Sequence, residues 1–86
     1  MKQFEIILRD DAIVDIQNAI DYYKTISVSV AKKFHIAVNN TFTELKKNPF
    51  YQVRYDNVRM CTLKRFPYVL HFVVNKQQNT IAIYMG

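Results

Sequence analysis

The stretch 58–74, VRMCTLKRFPYVLHFVV, restricts the fold more than any other segment of the chain. Its residues are mostly β-branched, aromatic or aliphatic, which suits a pleated, half-buried surface and predicts two strands over 58–63 and 68–74. The break falls at Lys64-Arg65-Phe66-Pro67, because Pro67 has no backbone N–H to donate at an interior strand position. The hinge of this hairpin is therefore basic and aromatic. Thr80–Met85 (TIAIYM) follows the polar turn Lys76-Gln77-Gln78-Asn79, so three antiparallel strands run in succession to the end of the sequence.

Upstream, 3–8 (QFEIIL) alternates Phe4, Ile6 and Leu8 against Gln3, Glu5 and Ile7, and reads as a further strand of the same sheet. Asp10 and Asp11 then supply an N-cap and first-turn acids for a helix, where the helix dipole favours negative charge. Ala12, Ile13, Ile16, Ala19, Ile20 and Tyr23 recur at spacings of three and four and form its apolar stripe. The segment 25–29 is a short connection in which Ser27 or Ser29 can cap a second helix running to about Lys47. The stripe of that helix is Val30, Phe34, Ala37, Val38, Thr41, Phe42 and Leu45. Asn48-Pro49 stops it, since proline pushes the residue before it out of the α region. The segment 50–57 (FYQVRYDN) is open between an edge strand and a packed loop. The order β-α-α-β-β-β predicts one α+β domain over the 86 residues, with an antiparallel sheet and a helical hairpin packed on one face.

Half of the residues are hydrophobic, enough for a modest core without metal or disulfide staples. Cys61 is the one cysteine, which suits a reducing compartment and a small buried strand residue. The first apolar run is too short for a secretory signal and no stretch approaches a membrane span, so a cytoplasmic location is expected, with no membrane partner. The charge is uneven. Residues 48–86 hold Arg54, Arg59, Lys64, Arg65 and Lys76 against Asp56, whereas 1–47 are nearly balanced. A positive sheet half favours an anionic partner, nucleic acid or an acidic protein segment. Both faces of 68–74 are largely apolar, and a sheet covered on one side only would show a more polar second face. A protein partner is the simplest cover for it.

These residues carry a resemblance. The element order, Tyr22-Tyr23 near the end of the first helix, the Leu45…Asn48-Pro49 helix exit and Arg59…Leu63-Lys64-Arg65-Phe66-Pro67-Tyr68…His71 together resemble the RelE/ParE superfamily of toxins in bacterial type II toxin-antitoxin (plasmid stabilisation) systems. The R-F-P-Y segment feeding a hydrophobic strand looks like the ParE branch. The resemblance spans the whole chain and implies a cytoplasmic toxin, held inactive by a cognate antitoxin whose C-terminal segment wraps it. The ParE branch implies a protein that poisons a target such as DNA gyrase without a catalytic site. The RelE branch implies an endoribonuclease that cuts messenger RNA on the ribosome. A homodimer is left open.

The chain departs from the nuclease pattern. RelE-like toxins carry basic residues along the strand that here runs Met60-Cys61-Thr62, and an arginine where Val69 follows Tyr68. RNA cleavage through the 2′-hydroxyl needs a base, an acid and cationic donors to the phosphate, and the expected donors are missing. Family members commonly continue past the last strand with a short tail bearing His or Arg, whereas this sequence stops at Met85-Gly86. Truncation and a lineage without the tail are both open, and a degenerate toxin that retains antitoxin binding is therefore a third expectation.

His71 is the candidate catalytic residue, being the side chain suited to proton transfer near neutral pH. The alternative is a packed strand histidine. Arg54, Arg59, Lys64, Arg65, Tyr68 and Tyr84 are the candidate target- or antitoxin-binding residues. Arginine grips carboxylate or phosphate with two hydrogen bonds, and the tyrosines, with Tyr51 and Tyr55, can stack on bases or pack in the core. An internal ion pair of Arg59 with Asp56 or Glu5 is the structural alternative. His35 has no second His, Cys or acidic cluster at ligand spacing, so neither metal nor cofactor is expected.

Overall fold

A computed structural model describes residues 3–85; Gly86, the last residue of the Met85-Gly86 end, lies outside the described residues. The elements are β1 (Glu5–Leu8), α1 (Asp10–Ile26), α2 (Val28–Lys47), β2 (Val53–Tyr55), β3 (Val58–Thr62), β4 (Val69–Asn75) and β5 (Thr80–Met85). The fold is α+β, with two helices against a five-stranded sheet of order β1-β5-β4-β3-β2.

Two expectations about the sheet are corrected. It is mixed, not antiparallel, because β1 pairs parallel with β5, Ile6 opposite Ile81 and Leu8 opposite Ile83. The helical pair between β1 and the meander is a long crossover connection, the kind a parallel pair requires. The connector also contributes a strand. β2 pairs antiparallel with β3 through an irregular register, Val53 opposite Arg59 and Tyr55 opposite Val58, so the order is β-α-α-β-β-β-β.

The helix boundaries follow the capping chemistry with local differences. Arg9, not an aspartate, is the N-cap of α1 and makes no side-chain cap bond, while Asp10 and Asp11 sit in the first turn. The link between the helices is Ser27 alone, shorter than the five residues expected. Its extended backbone (φ −168°, ψ 132°) closes α1 with a bond from its N–H to the Tyr23 carbonyl, and its Oγ accepts from the Val30 N–H at 3.4 Å to open α2. One residue thus satisfies groups at both helix ends. Asn48, also extended, ends α2 before the buried Pro49. The Phe4 N–H reaches the orphan Lys46 carbonyl at 3.0 Å, so α2 finishes at the start of β1.

The core lies between the helices and one sheet face. Ala12, Phe34, Val38 and Leu45 meet Cys61, Leu63, Leu70, Phe72, Ile81 and Ile83. Burial of such side chains stabilises by about 1.5–3 kcal/mol each before entropy is set against it. Thr41, the buried polar residue of α2, donates its hydroxyl to the Ala37 carbonyl at 2.8 Å. An aromatic cluster fastens the hairpin to the β3–β4 turn, since Phe34 packs on Tyr23, Phe66 and Tyr68 with centroids 5.1–5.2 Å apart. The expected stripes hold except at Ile13, which is half exposed. Among the described residues no helix is long and apolar enough to cross a membrane.

Candidate functional site

Strand periodicity sends alternate side chains of the meander to the face away from the helices. Cross-strand register arranges them in rows. Met60, His71 and Tyr84 form one row across β3, β4 and β5, because Met60 pairs with His71 and His71 with Tyr84. Val58, Val73, Ala82 and Ile7 form the next. Tyr55, opposite Val58 on β2, leans across β3 and brings its hydroxyl to 3.4 Å from Nδ1 of His71. This face carries large apolar side chains at the surface: Ile7 is 43% exposed, Tyr55 51% and Tyr84 37%.

Arg9 joins the face from the β1 edge. Its N–H continues the parallel ladder to the Ile83 carbonyl at 3.2 Å, and its guanidinium lies 5.5 Å from the centre of the Tyr84 ring. A groove of about 430 Å³ opens beside this pair, between the end of β1 and the first turn of α1. The face thus combines one imidazole, two phenols and a stacked arginine on a largely apolar floor. Such a surface can hold an apolar partner segment, stack a planar group, or exchange a proton at His71.

The sequence-expected residues divide between the two faces. His71 and Tyr84 are direct cross-strand neighbours on the open face. Tyr68 lies beneath, in line with Leu70 and Phe72, packed on Phe34. Burial, with the nearby Asp15 carboxylate adding to it, pushes its phenol from 10.0 up to about 12. Arg59 also lies beneath, paired with Phe72 across the ladder. Its Nη1 donates to the Tyr51 carbonyl at 2.6 Å and its guanidinium lies 5.4 Å from the Phe50 ring centre. Its Nε is buried with no hydrogen-bond partner among the described residues. Arg54 is exposed on the edge strand β2, and Lys64 and Arg65 are exposed in the β3–β4 turn. The cations therefore do not gather into one patch around His71.

Beside Arg59, Tyr51 packs on Phe72 with ring centres 6.0 Å apart. Burial raises the Tyr51 phenol, with a contact to Cys61 adding to it; burial also raises the Cys61 thiol, against a smaller lowering by that contact. Cys61 is buried, a small hydrophobe of the core. Among the described residues no three His, Cys, Asp or Glu side chains gather to hold a metal ion.

Arg9 was not a sequence-level candidate. Its signal lies in the parallel β1–β5 register, which an antiparallel expectation hides. Tyr55 was visible as a possible stacking residue, but its place beside His71 depends on the β2 strand that the connector left open. In comparison with known proteins, the chain matches no family model, no curated protein and no solved structure.

Proposed function

We propose that this chain is the toxin of a bacterial type II toxin-antitoxin pair of the ParE-like kind. It binds a protein target such as DNA gyrase in the cytoplasm and is neutralised by a cognate antitoxin. The observation that carries the reading is the uncovered apolar sheet face, where Ile7, Tyr55 and Tyr84 stand exposed opposite the helix-covered side. An extended antitoxin segment can lay apolar side chains on this face or add to the edge strand β2, whose Val53, Arg54 and Tyr55 are all exposed. Arg54 and the β3–β4 turn cations Lys64 and Arg65 then meet its acidic residues. The order β-α-α followed by a strand meander, with R-F-P-Y at the turn into β4, supports the ParE-like assignment.

One observation favours a second reading. Tyr55 and His71 in contact, with Tyr84 and Arg9 alongside, put proton-transfer and cationic groups on the open face, as a RelE-like messenger-RNA endoribonuclease needs. Induction of the chain alone in a bacterial host tests both, with growth, message integrity and the DNA-damage response followed together. The primary reading expects growth arrest with DNA damage and intact messages. Rapid message cleavage replaces it with the nuclease, and absence of arrest leaves a degenerate toxin that binds only its antitoxin.

A further inference from the structure

The end of the sheet away from the β3–β4 turn gathers cations that the proposed function does not use. β4 runs from that turn down to Asn75 and is followed by Lys76, and β3 begins at the same end with Val58 and Arg59. Both cations reach one ring. The Arg59 guanidinium lies 5.4 Å from the centre of the Phe50 ring and the Lys76 ammonium also 5.4 Å, so the two charges stand no more than twice that distance apart. Phe50 is 47% exposed and Lys76 is exposed, which opens the pair to solvent.

The backbone that carries these groups is fixed. Asn48 Oδ1 accepts the Phe50 N–H at 3.2 Å, and Phe4 meets the Phe50 ring edge-on with centroids 5.6 Å apart. The turn that holds Lys76 is closed by the Gln78 N–H on Asn75 Oδ1 at 3.0 Å and tied to the start of the chain by Asn79 Nδ2 on the Gln3 carbonyl at 2.9 Å. Lys46 and Lys47 end α2 at the same place, because the Lys46 carbonyl accepts from the Phe4 N–H. Among the described residues neither Arg59 nor Lys76 forms an ion pair, so the pairing of Arg59 with Asp56 or Glu5 that the sequence left open does not form. The field of Glu44 reaches Tyr51 and Cys61, yet Glu44 pairs with neither cation. Two like charges drawn together on a fixed frame repel, and the ring face offsets only part of that repulsion. An anion between them removes the rest.

We propose that Arg59, Lys76 and Phe50 form a binding site for a phosphate group. A phosphate directs its oxygens in several directions and carries up to two negative charges, so it takes the remaining Arg59 N–H groups on one side and the Lys76 ammonium on another, whereas a carboxylate presents two oxygens in one plane. The Phe50 ring is the floor of the site, and Lys46 and Lys47 draw the anion to this end of the molecule. A free phosphate and a phosphate of a polynucleotide backbone offer the same chemistry to these groups. The site lies on the helix-covered face at the far end of the strands from Lys64 and Arg65, so this inference stands independently of the proposed function.

Titration of the full chain with inorganic phosphate against chloride at constant ionic strength, followed by amide NMR, tests it. Saturable shifts centred on the Phe50, Tyr51 and Lys76 amides and on the Arg59 Nε–H are expected. Lys76→Ala, in an exposed turn, should keep the circular dichroism and weaken binding by about tenfold, the fold-change of one charge-assisted bond. Arg59→Lys should weaken it too, because an ammonium lacks the planar fork, and Lys24→Ala, on the helical hairpin, should leave it unchanged. A short oligothymidylate without a terminal phosphate separates the sources. Shifts of the same residues at lower concentration, fading with added salt, assign the site to a polynucleotide backbone, whereas saturation by phosphate alone assigns it to a free phosphate group. Shifts that grow without saturation, or that centre on Lys64 and Arg65, overturn the proposal, as does equal weakening by Lys76→Ala and Lys24→Ala.

Discussion

The hydroxyl of Tyr55 on β2 lies 3.4 Å from Nδ1 of His71 on β4, across the strand that separates them. It donates to that nitrogen when the imidazole tautomer leaves it unprotonated. The contact is exposed, and a hydrogen bond open to water contributes about 1 kcal/mol or less. Tyr55→Phe should therefore shift a urea midpoint only slightly. With a protein-binding function, His71→Ala should preserve growth arrest and leave messages intact. Loss of arrest in His71→Ala, with circular dichroism and antitoxin binding unchanged and with message cleavage by the unaltered chain abolished, would assign the Tyr55–His71 pair to catalysis.

Arg59 acts as a clamp on the chain between α2 and β2. Its Nη1 bond to the Tyr51 carbonyl and its place over Phe50 fix a connector otherwise held by few backbone bonds. Arg59→Ala removes a charge-assisted bond worth about 1.5–3 kcal/mol and frees the Tyr51 carbonyl. Equilibrium urea denaturation should show a loss of that order. Arg59→Lys should recover only part of it, because an ammonium lacks the planar fork. A loss under about 0.5 kcal/mol, the range of ordinary surface changes, would show that Arg59 is not a clamp.

What could be read from the sequence was what periodicity writes directly. Phe34, Val38, Thr41 and Leu45 repeat at helical spacing and are buried. Leu70 and Phe72 alternate with His71 and face the helices, while His71 faces away. Side-chain pattern does not encode strand direction, so the parallel pairing of β1 with β5, and with it the contact of Arg9 with Tyr84, was out of reach. The sequence leaves β2 open because 50–57 alternates only weakly, and its three strand residues are all exposed. For Arg59 the sequence leaves binding and an internal structural role open, and for Tyr68 base stacking and core or rim packing. The register and the packing show that both lie on the face the helices cover.

Tyr68 makes stability fall at alkaline pH. Its phenol ionises near 10.0 in the unfolded chain and at about 12 in the folded one, with burial the main cause. The folded state then binds more protons than the unfolded state between those values. Its contribution is fully present below pH 10 and is lost as pH rises toward 12. Tyr51 and Cys61, both raised by burial, act in the same direction. A series of urea midpoints from pH 8 to 12, on the order of the phenol range, should decline, and Tyr68→Phe should make the decline shallower. Parallel curves for the two proteins would show that Tyr68 ionises freely in the fold.

Arg65 holds φ at +70° in the turn between β3 and β4. Asp56 and Asn79, the other positive-φ residues among those described, are types that tolerate the left-handed region, whereas an arginine there carries the clash of its Cβ with the following carbonyl. The turn is held by the Leu63 N–H on the Tyr68 carbonyl at 3.0 Å and the Tyr68 N–H on the Phe66 carbonyl at 2.8 Å, with Phe66 anchored on Phe34. Arg65→Gly relieves the clash at some cost in unfolded-chain entropy, for a net gain of about 0.5–1 kcal/mol. Thermal denaturation should show a higher midpoint. Under the proposed toxin function the exposed Arg65 guanidinium meets carboxylates of the antitoxin or target, and the same variant should then arrest growth more weakly although it is more stable. Stabilisation with undiminished arrest would assign Arg65 to the turn alone, and a lower midpoint would show that its side chain contributes packing greater than the strain.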